Sequence, residues 1–417
     1  MNEPVLDKLL RYVQIDTQSK DGEEKTPSTE KQFDLANLLV EELKLMGVED
    51  AFVDEHCYVY ASLPSNISPT DSKYGKVPTI GFIAHLDTAP DSSGTNVKPQ
   101  VITNYQGGDI ILPANPNAII KESENPNLQK CIGQAIVTTD GTTLLGADDK
   151  AGIAAIMTTI QTLINNPDIL HGDIRIAFTP DEEIGQGTKY FDMSNFNAKY
   201  AYTVDGDFPG ELNKETFSAD SAIITAYGRD IHPGMAKNIM VNSIRAIADV
   251  VVRTPKDMAP ETTEGYEPYI HPHSLDGTVS KSTLRFLLRD FRTEGLKEQK
   301  IILEKIIEEV QLLHPKVKLD LEIIEMYRNM REELDKHPDV LDNLWEAAIR
   351  AGVEPYWSPI RGGTDGSRLT AMGLPTPNIF TGTQNLHSLT EWLSVESLNL
   401  TVKTLIELVK VWYERSK

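Results

Sequence analysis

The chain has 417 residues, 40 of them basic and 62 acidic, for a formal net charge of −22. A field of that sign repels phosphate backbones and anionic bilayers, so no nucleic-acid or membrane partner is expected. Its length exceeds what one hydrophobic core usually fills, and two domains are the first expectation. The two cysteines, Cys57 and Cys131, lie far apart without CxxC spacing, which supports neither a disulfide framework nor a thiolate metal site. The first residues, MNEPVLDKLLRYVQIDTQ, interleave acids with apolar residues and lack the basic-then-apolar pattern of a signal peptide. No apolar stretch approaches the ~20 residues that span a bilayer. Cytoplasm is the expected compartment.

Helical spacing of Leu6, Leu9, Leu10 and Val13 predicts a first helix over Asn2 to Ile15. A second is expected from about Thr29 to Met46, with Ser28 or Thr29 as N-cap and Gly47 as terminator. Strands follow at Tyr58–Leu63 and Thr79–His85. Asp91–Asn127, rich in Pro, Asn, Ser and Gly, reads as a long loop with a short strand at Ile110–Leu112, an excursion that a compact domain seldom carries without a functional reason. A helix of small and apolar residues over Ala151–Ile164, then strands at Asp173–Phe178 and Tyr200–Val204, give a strand–helix alternation. That order predicts an α/β fold with a mostly parallel, helix-covered sheet.

Near residue 212 the texture changes. Strands at Ser221–Tyr227 and Gly277–Phe291, helices at Ile239–Val252 and Leu296–Leu313, and the alternating run Val317–Ile323 suggest a β-α-β-β-α-β-like unit. The α/β character resumes with a helix at Leu341–Gly352, a strand at Asn378–Thr381 and a last helix after Leu389. The expected organisation is a catalytic domain in two parts, 1–211 and 329–417, interrupted by a smaller α+β lid domain at 212–328.

Five apolar runs stop at side chains that suit a divalent cation: His85 with Asp87, Asp148, the pair Glu182-Glu183, Asp205, and His387. Ligands gather at the carboxyl ends of strands in open α/β sheets. In His85-Leu86-Asp87 the carboxylate can accept from the far ring nitrogen and fix the tautomer, although a structural His–carboxylate pair would read the same. Asp148 could bridge two cations, or cap the following helix. One of Glu182 and Glu183 can bind metal while the other takes a proton from water; an acidic turn is the alternative. Asp205 has a plain turn reading of its own, and His387 could equally be a helix-start residue. Together they supply a dinuclear ligand set suited to zinc, manganese or cobalt. No HExxH, GxSxG or Walker A motif competes, and Gly185-Gln186-Gly187 lacks the third glycine of a dinucleotide fingerprint.

Across nearly its whole length the chain resembles the M20 family of metallopeptidases, through YVQIDTQS, HLDTAP, LLGADDKAG, FTPDEEIG, YTVDGD, IHPGMAKNIMVN, LLRDF, PIRGGTDGSRL and NLHSLTEW. The resemblance implies two divalent ions, zinc foremost, one on His85 and Asp205, the other on Glu183 and His387, with Asp148 bridging. It implies Glu182 as general base, Asp87 orienting His85, and a cis peptide after Asp148. His232 falls where the family has a histidine near the substrate carbonyl, while Arg289 and Arg361 are candidates for gripping a peptide carboxylate or carbonyl. The implied activity is release of the N-terminal residue from short peptides, tripeptides above all, by a monomer or a lid-mediated homodimer. Dipeptidase, carboxypeptidase and deacylase activities share this metal core, and a non-catalytic peptide binder is the alternative outside the hydrolases.

Overall fold

A computed structural model describes residues 3–417. Met1 and Asn2 lie outside the described residues, and with them the expected start of the first helix, which runs over Val5–Tyr12. The chain divides into two compact units. The first comprises the residues up to Lys214 together with Glu332–Ser358 and Thr364–Lys417; the second comprises Glu215–Arg331 and Pro359–Gly363.

The first unit is built on an eight-stranded sheet. Its order is Phe52–Val53, Val59–Leu63, Ile174–Thr179, Ile80–His85, Tyr200–Gly206, Asn378–Phe380, Glu211–Asn213 and Tyr356–Trp357. The central four strands run parallel, and antiparallel neighbours flank them. Central parallel strands are covered on both faces, which is why their sequences read as unbroken apolar runs. Every residue of Ile80–His85 is buried. Ile80, Phe82 and Ala84 point into the main core with the helices Ala147–Asn165 and Val395–Arg415, while Ile83 points to the opposite face with Phe191, Phe196 and Leu369. Parallel strands end together, so His85, Thr179 and Asp205 come to one edge of the sheet.

The excursion after Asp91 is more structured than its composition suggests. Gln100–Ile102 joins Ile136–Thr138 and Trp392–Ser394 in a three-stranded antiparallel sheet, and Ile110–Ile111 pairs with Ile119–Ile120. Tyr105, Ile110, Leu112, Leu128, Cys131 and Trp392 form its small core. Cys57 and Cys131 are both free and buried. The last helix begins at Val395, later than expected, because Trp392–Ser394 is taken up by that sheet; Ser394 then caps the helix by accepting from the Ser397 N–H at 2.9 Å. The second helix likewise starts late, at Gln32. Ser28, expected as its cap, is bound instead to the Asp181 carboxylate.

The second unit has the element order β-α-β-β-α-β, with helices Ser243–Arg253 and Thr293–Leu313. Its antiparallel sheet has the order Tyr269–Gly277, Lys281–Asp290, Ser218–Tyr227, Lys318–Tyr327. The single strand expected over Gly277–Phe291 is the second arm of a hairpin. Its first arm carries Pro272 next to a register shift, and it lies at the sheet edge, where a proline need not donate to a ladder. Ile224, Phe286 and Leu288 pack there against Ile247, Val250, Leu303 and Val310. Among the described residues no helix is long and apolar enough to cross a membrane.

One close contact fixes the start of the helix Ala147–Asn165 relative to the sheet. A Cβ on Gly152 would overlap the carbonyl oxygen of Val204 and the Asp149 carboxylate. Gly152→Ala is therefore expected to lower the unfolding free energy by ~1–3 kcal/mol, seen as an earlier midpoint in urea.

Candidate metal centre

His85 ends the central strand, and the next residue, Leu86, keeps the chain in line by donating its N–H to the Thr179 carbonyl at 2.7 Å. The His85 ring Nδ1 lies 3.0 Å from the backbone carbonyl of Asp87 and 3.4 Å from the Asp87 carboxylate. With Nδ1 donating to that carbonyl, Nε2 faces Asp148 Oδ1 at 3.0 Å and Asp205 Oδ1 at 3.7 Å, donating to Asp148 when it carries a proton and offering a lone pair to a cation when it does not. The main tie on the ring is thus the Asp87 carbonyl, where the sequence pointed to its carboxylate.

The Asp87 carboxylate, fully buried, has different work: Oδ1 accepts the Glu182 N–H at 2.9 Å and Oδ2 accepts the Glu183 N–H at 3.2 Å. The preceding residue in that loop, Asp181, has φ of 57° and accepts from Ser28 N–H at 2.7 Å, Ser28 Oγ at 2.6 Å and Gln32 Nε2 at 2.7 Å. Two buried carboxylates therefore hold the acidic loop in place. Glu183 Oε2 meets His387 Nε2 at 2.9 Å, whereas its Oε1 is buried with no hydrogen-bond partner.

Asp148 lies between the two imidazoles, with Oδ2 3.4 Å from His387 Nε2. The Asp148–Asp149 peptide is cis. Behind it, Asp149 accepts the His85 N–H and the Gly152 N–H, each at 3.1 Å. The buried Glu391 accepts from Leu145 and Gly146 N–H at 2.8 Å and from Asp148 N–H at 3.0 Å. His387, with φ of 61°, is braced from the excursion: Ser92 Oγ donates to its carbonyl at 3.0 Å, and Asp91 lies 3.4 Å from Nδ1.

Two triads result, His85–Asp148–Asp205 and Asp148–Glu183–His387, each with its ligand atoms within 4.8 Å of one another. They share Asp148. Glu182 belongs to neither triad and is half-buried.

So many acids in one place are short of positive charge. Burial pushes Glu183 up to about 8 and Asp205 up to about 6. Burial, followed by the nearby Asp365 carboxylate, holds Glu182 well above its ordinary range. Burial would also raise Asp148, but hydrogen bonds from His387 and His85 outweigh it and keep it far below the usual carboxylate range. Hydrogen bonds to Asp148 and Glu183 raise His387 to about 11. Proton-retentive acids, an undonated Glu183 oxygen and an imidazole–carboxylate donor set without thiolates are what two divalent cations would satisfy. The residues fit the group.

The three substrate candidates all belong to the second unit. His232 is exposed on its loop, and its Nδ1 accepts the Gly234 N–H at 3.1 Å, leaving Nε2 outward. Arg289 is buried; its Nη1 donates to the Leu288 carbonyl at 3.0 Å, and its guanidinium lies 5.4 Å from the Tyr327 ring centre. Arg361 donates to the carbonyls of Gly265 at 2.8 Å and Glu267 at 2.9 Å, and to Thr263 Oγ1 at 2.8 Å. Arg289 thus serves backbone oxygens through Nη1, and Arg361 serves two carbonyls through Nη1 and a side-chain hydroxyl through Nη2. Glu391 and Asp149 escape a reading of the sequence, although both lie inside telling motifs, NLHSLTEW and LLGADDKAG.

Residues 139–411 match the model of peptidase family M20/M25/M40. A protein named Peptidase T from Bacillus velezensis is 45% identical over 416 residues, covering 100% of both chains. Another of that name, from Brevibacillus brevis, is 46% identical with the same coverage. Among solved structures, a Staphylococcus aureus tripeptidase has a TM-score of 0.77 at 21% identity, covering 100% of this chain and 99% of its own. A Bacillus cereus aminopeptidase has a TM-score of 0.73 at 23% identity, covering 99% of each. A Bacillus subtilis protein described as a dinuclear metal binding peptidase has a TM-score of 0.66 at 14% identity, covering 98% of each.

If Glu391 holds the chain around Asp148, the acid shared by both triads, through those three N–H groups, its loss should be felt by any cations held there. Glu391→Ala is expected to weaken metal binding by roughly 10- to 100-fold, measured by competition with a chromogenic chelator.

Proposed function

Because the chain belongs to peptidase family M20/M25/M40, we propose that it is a two-metal aminopeptidase that removes the N-terminal residue from short peptides, tripeptides above all. The observation that carries this reading is a pair of ligand triads sharing Asp148, with a second acid, Glu182, set outside both. The names of the full-length relatives support the substrate class.

One cation is assigned to His85 and Asp205, the other to Glu183 and His387, and Asp148 to both. When bound, the cations would supply Lewis acidity, bringing the pKa of water toward neutrality and polarising the scissile carbonyl. Glu182 has the role of general base: its carboxylate takes a proton from the attacking water and returns it to the leaving amine. Asp87 fixes where that base stands, since its carboxylate holds the backbone N–H of both Glu182 and Glu183. The outward Nε2 of His232 is assigned to the oxygen that becomes negative as the carbonyl is attacked. Arg289 and Arg361 are assigned to gripping a peptide carboxylate or carbonyl with the donors that the carbonyls of their own unit leave over. Zinc is the assigned metal, the cytoplasm the assigned compartment, and a monomer or a homodimer paired through the second unit the assigned state.

Glu182→Ala should lower kcat by ~10²- to 10⁴-fold while the metal content, read by plasma mass spectrometry, stays that of the wild type. Asp148→Ala should instead lose bound metal. A free tripeptide should yield its first residue and a dipeptide by mass spectrometry, and the N-acetylated tripeptide should survive. Release of the C-terminal residue first would make the enzyme a carboxypeptidase.

A further inference from the structure

The loop bearing Glu182 and Glu183 rests on the short helix Asp365–Ala371. Asp365 is 3% exposed, and its Oδ2 accepts the Thr179 hydroxyl at 2.7 Å. Thr179 is the last residue of the strand from which that loop departs. On the far side of the loop, a Cβ on Gly187 would overlap both carboxylate oxygens of Asp365. One helical turn further on, Arg368 meets the same loop: a Cβ on Gly185 would lie 2.8 Å from its Nη2. Gly185 also has φ of +72°, so glycine suits that position for conformation as well as space. Asp365 Oδ1 is buried without a hydrogen-bond partner. An undonated buried oxygen costs stability, and a side chain retained only for packing would be apolar.

We propose that Asp365 is a positioning residue for the reaction: tied to Thr179 at the loop's entry and seated against Gly187 at its exit, its carboxylate sets the height of the loop and hence the aim of Glu182. The Asp87 carboxylate holds this loop by the N–H groups of Glu182 and Glu183, and Asp365 supports it from the opposite end of the turn. Asp365 reaches the reacting atoms only through Glu182. The inference rests on the reading of Glu182 as the base. It adds a third buried carboxylate to Asp87 and Asp181 in the support of one acidic turn.

The test is steady-state kinetics on a free tripeptide, with metal content and melting temperature measured on each protein. Asp365→Ala is expected to lower kcat by roughly 10- to 100-fold, the effect of displacing a catalytic group by about an ångström, with KM and metal content unchanged. Asp365→Asn keeps the shape and the Thr179 bond, so it should restore most of the lost kcat. Thr179→Val removes the donor alone and should fall between them; it carries the test if Asp365→Ala does not fold. In a Glu182→Gln background, Asp365→Ala should cause no further loss. The proposal is overturned if Asp365→Ala and Thr179→Val keep wild-type kcat, if the loss follows metal content, or if Asp365→Asn is as impaired as Asp365→Ala. The base reading fails separately, and only if Glu182→Gln itself remains active.

Discussion

Asp148 turns one oxygen toward His85 and the other toward His387, and the surroundings are arranged to keep it there. Burying a carboxylate is costly, and the cost is met here by charge-assisted bonds from both imidazoles. The left-handed Gly146, with φ of 75°, turns the chain at the start of the helix, two residues before the acid that lies between the two imidazoles. Glu391 then ties down the amides on one side of it, and Asp149 ties the helix to the strand that ends at His85. The sharing of one acid makes the two triads a single object: displacing Asp148 would empty both.

Backbone amides do most of the positioning. Asp87, Asp149, Asp181 and Glu391 are buried or nearly so, and each accepts from main-chain N–H groups. These contacts tie side chain to main chain at 2.7 to 3.2 Å, and Asp149 in addition joins the end of a central strand to the start of a helix. Glu183 and Asp205, of the two triads, have few such bonds. Glu183 leaves one oxygen bare, and among the ion pairs of the described residues Asp205 shows its carboxylate to His85 alone. Rigid supports and electrostatically unsettled ligands are the arrangement a cation site needs.

The legibility of each residue in the sequence depends on what it leans on. His85, Glu182-Glu183 and Asp205 are legible because unbroken apolar runs mark central parallel strands and the residues that close such runs fall at one edge, whereas Asp148 closes no strand and lies in the first turn of the helix Ala147–Asn165. His387 was legible only with its motif, since its place depends on an ordered excursion that its polar composition concealed. The strands Gln100–Ile102 and Trp392–Ser394 have three residues each, too few for an alternation to declare itself, and they pair through Ile136–Thr138 from distant parts of the chain. Glu391, Asp149 and Asp365 were opaque for a related reason. Their partners are amides, a hydroxyl and a glycine's empty space, none of which a residue type advertises. Arg289 and Arg361 suit a substrate carboxylate by residue type, and nothing in the sequence shows that Nη1 of each donates to carbonyl oxygens of its own unit.

The short stretch from His387 to Glu391 supplies a ligand at one end and the brace of the bridging acid at the other. On a ribosome, His85, Asp148, Glu183 and Asp205 emerge long before either. A nascent chain thus carries an imidazole and several crowded carboxylates with neither the second imidazole nor the brace until that stretch has been made. The second imidazole and the brace of Asp148 arrive together, and the full donor set exists only once 387–391 has packed beside the four earlier residues.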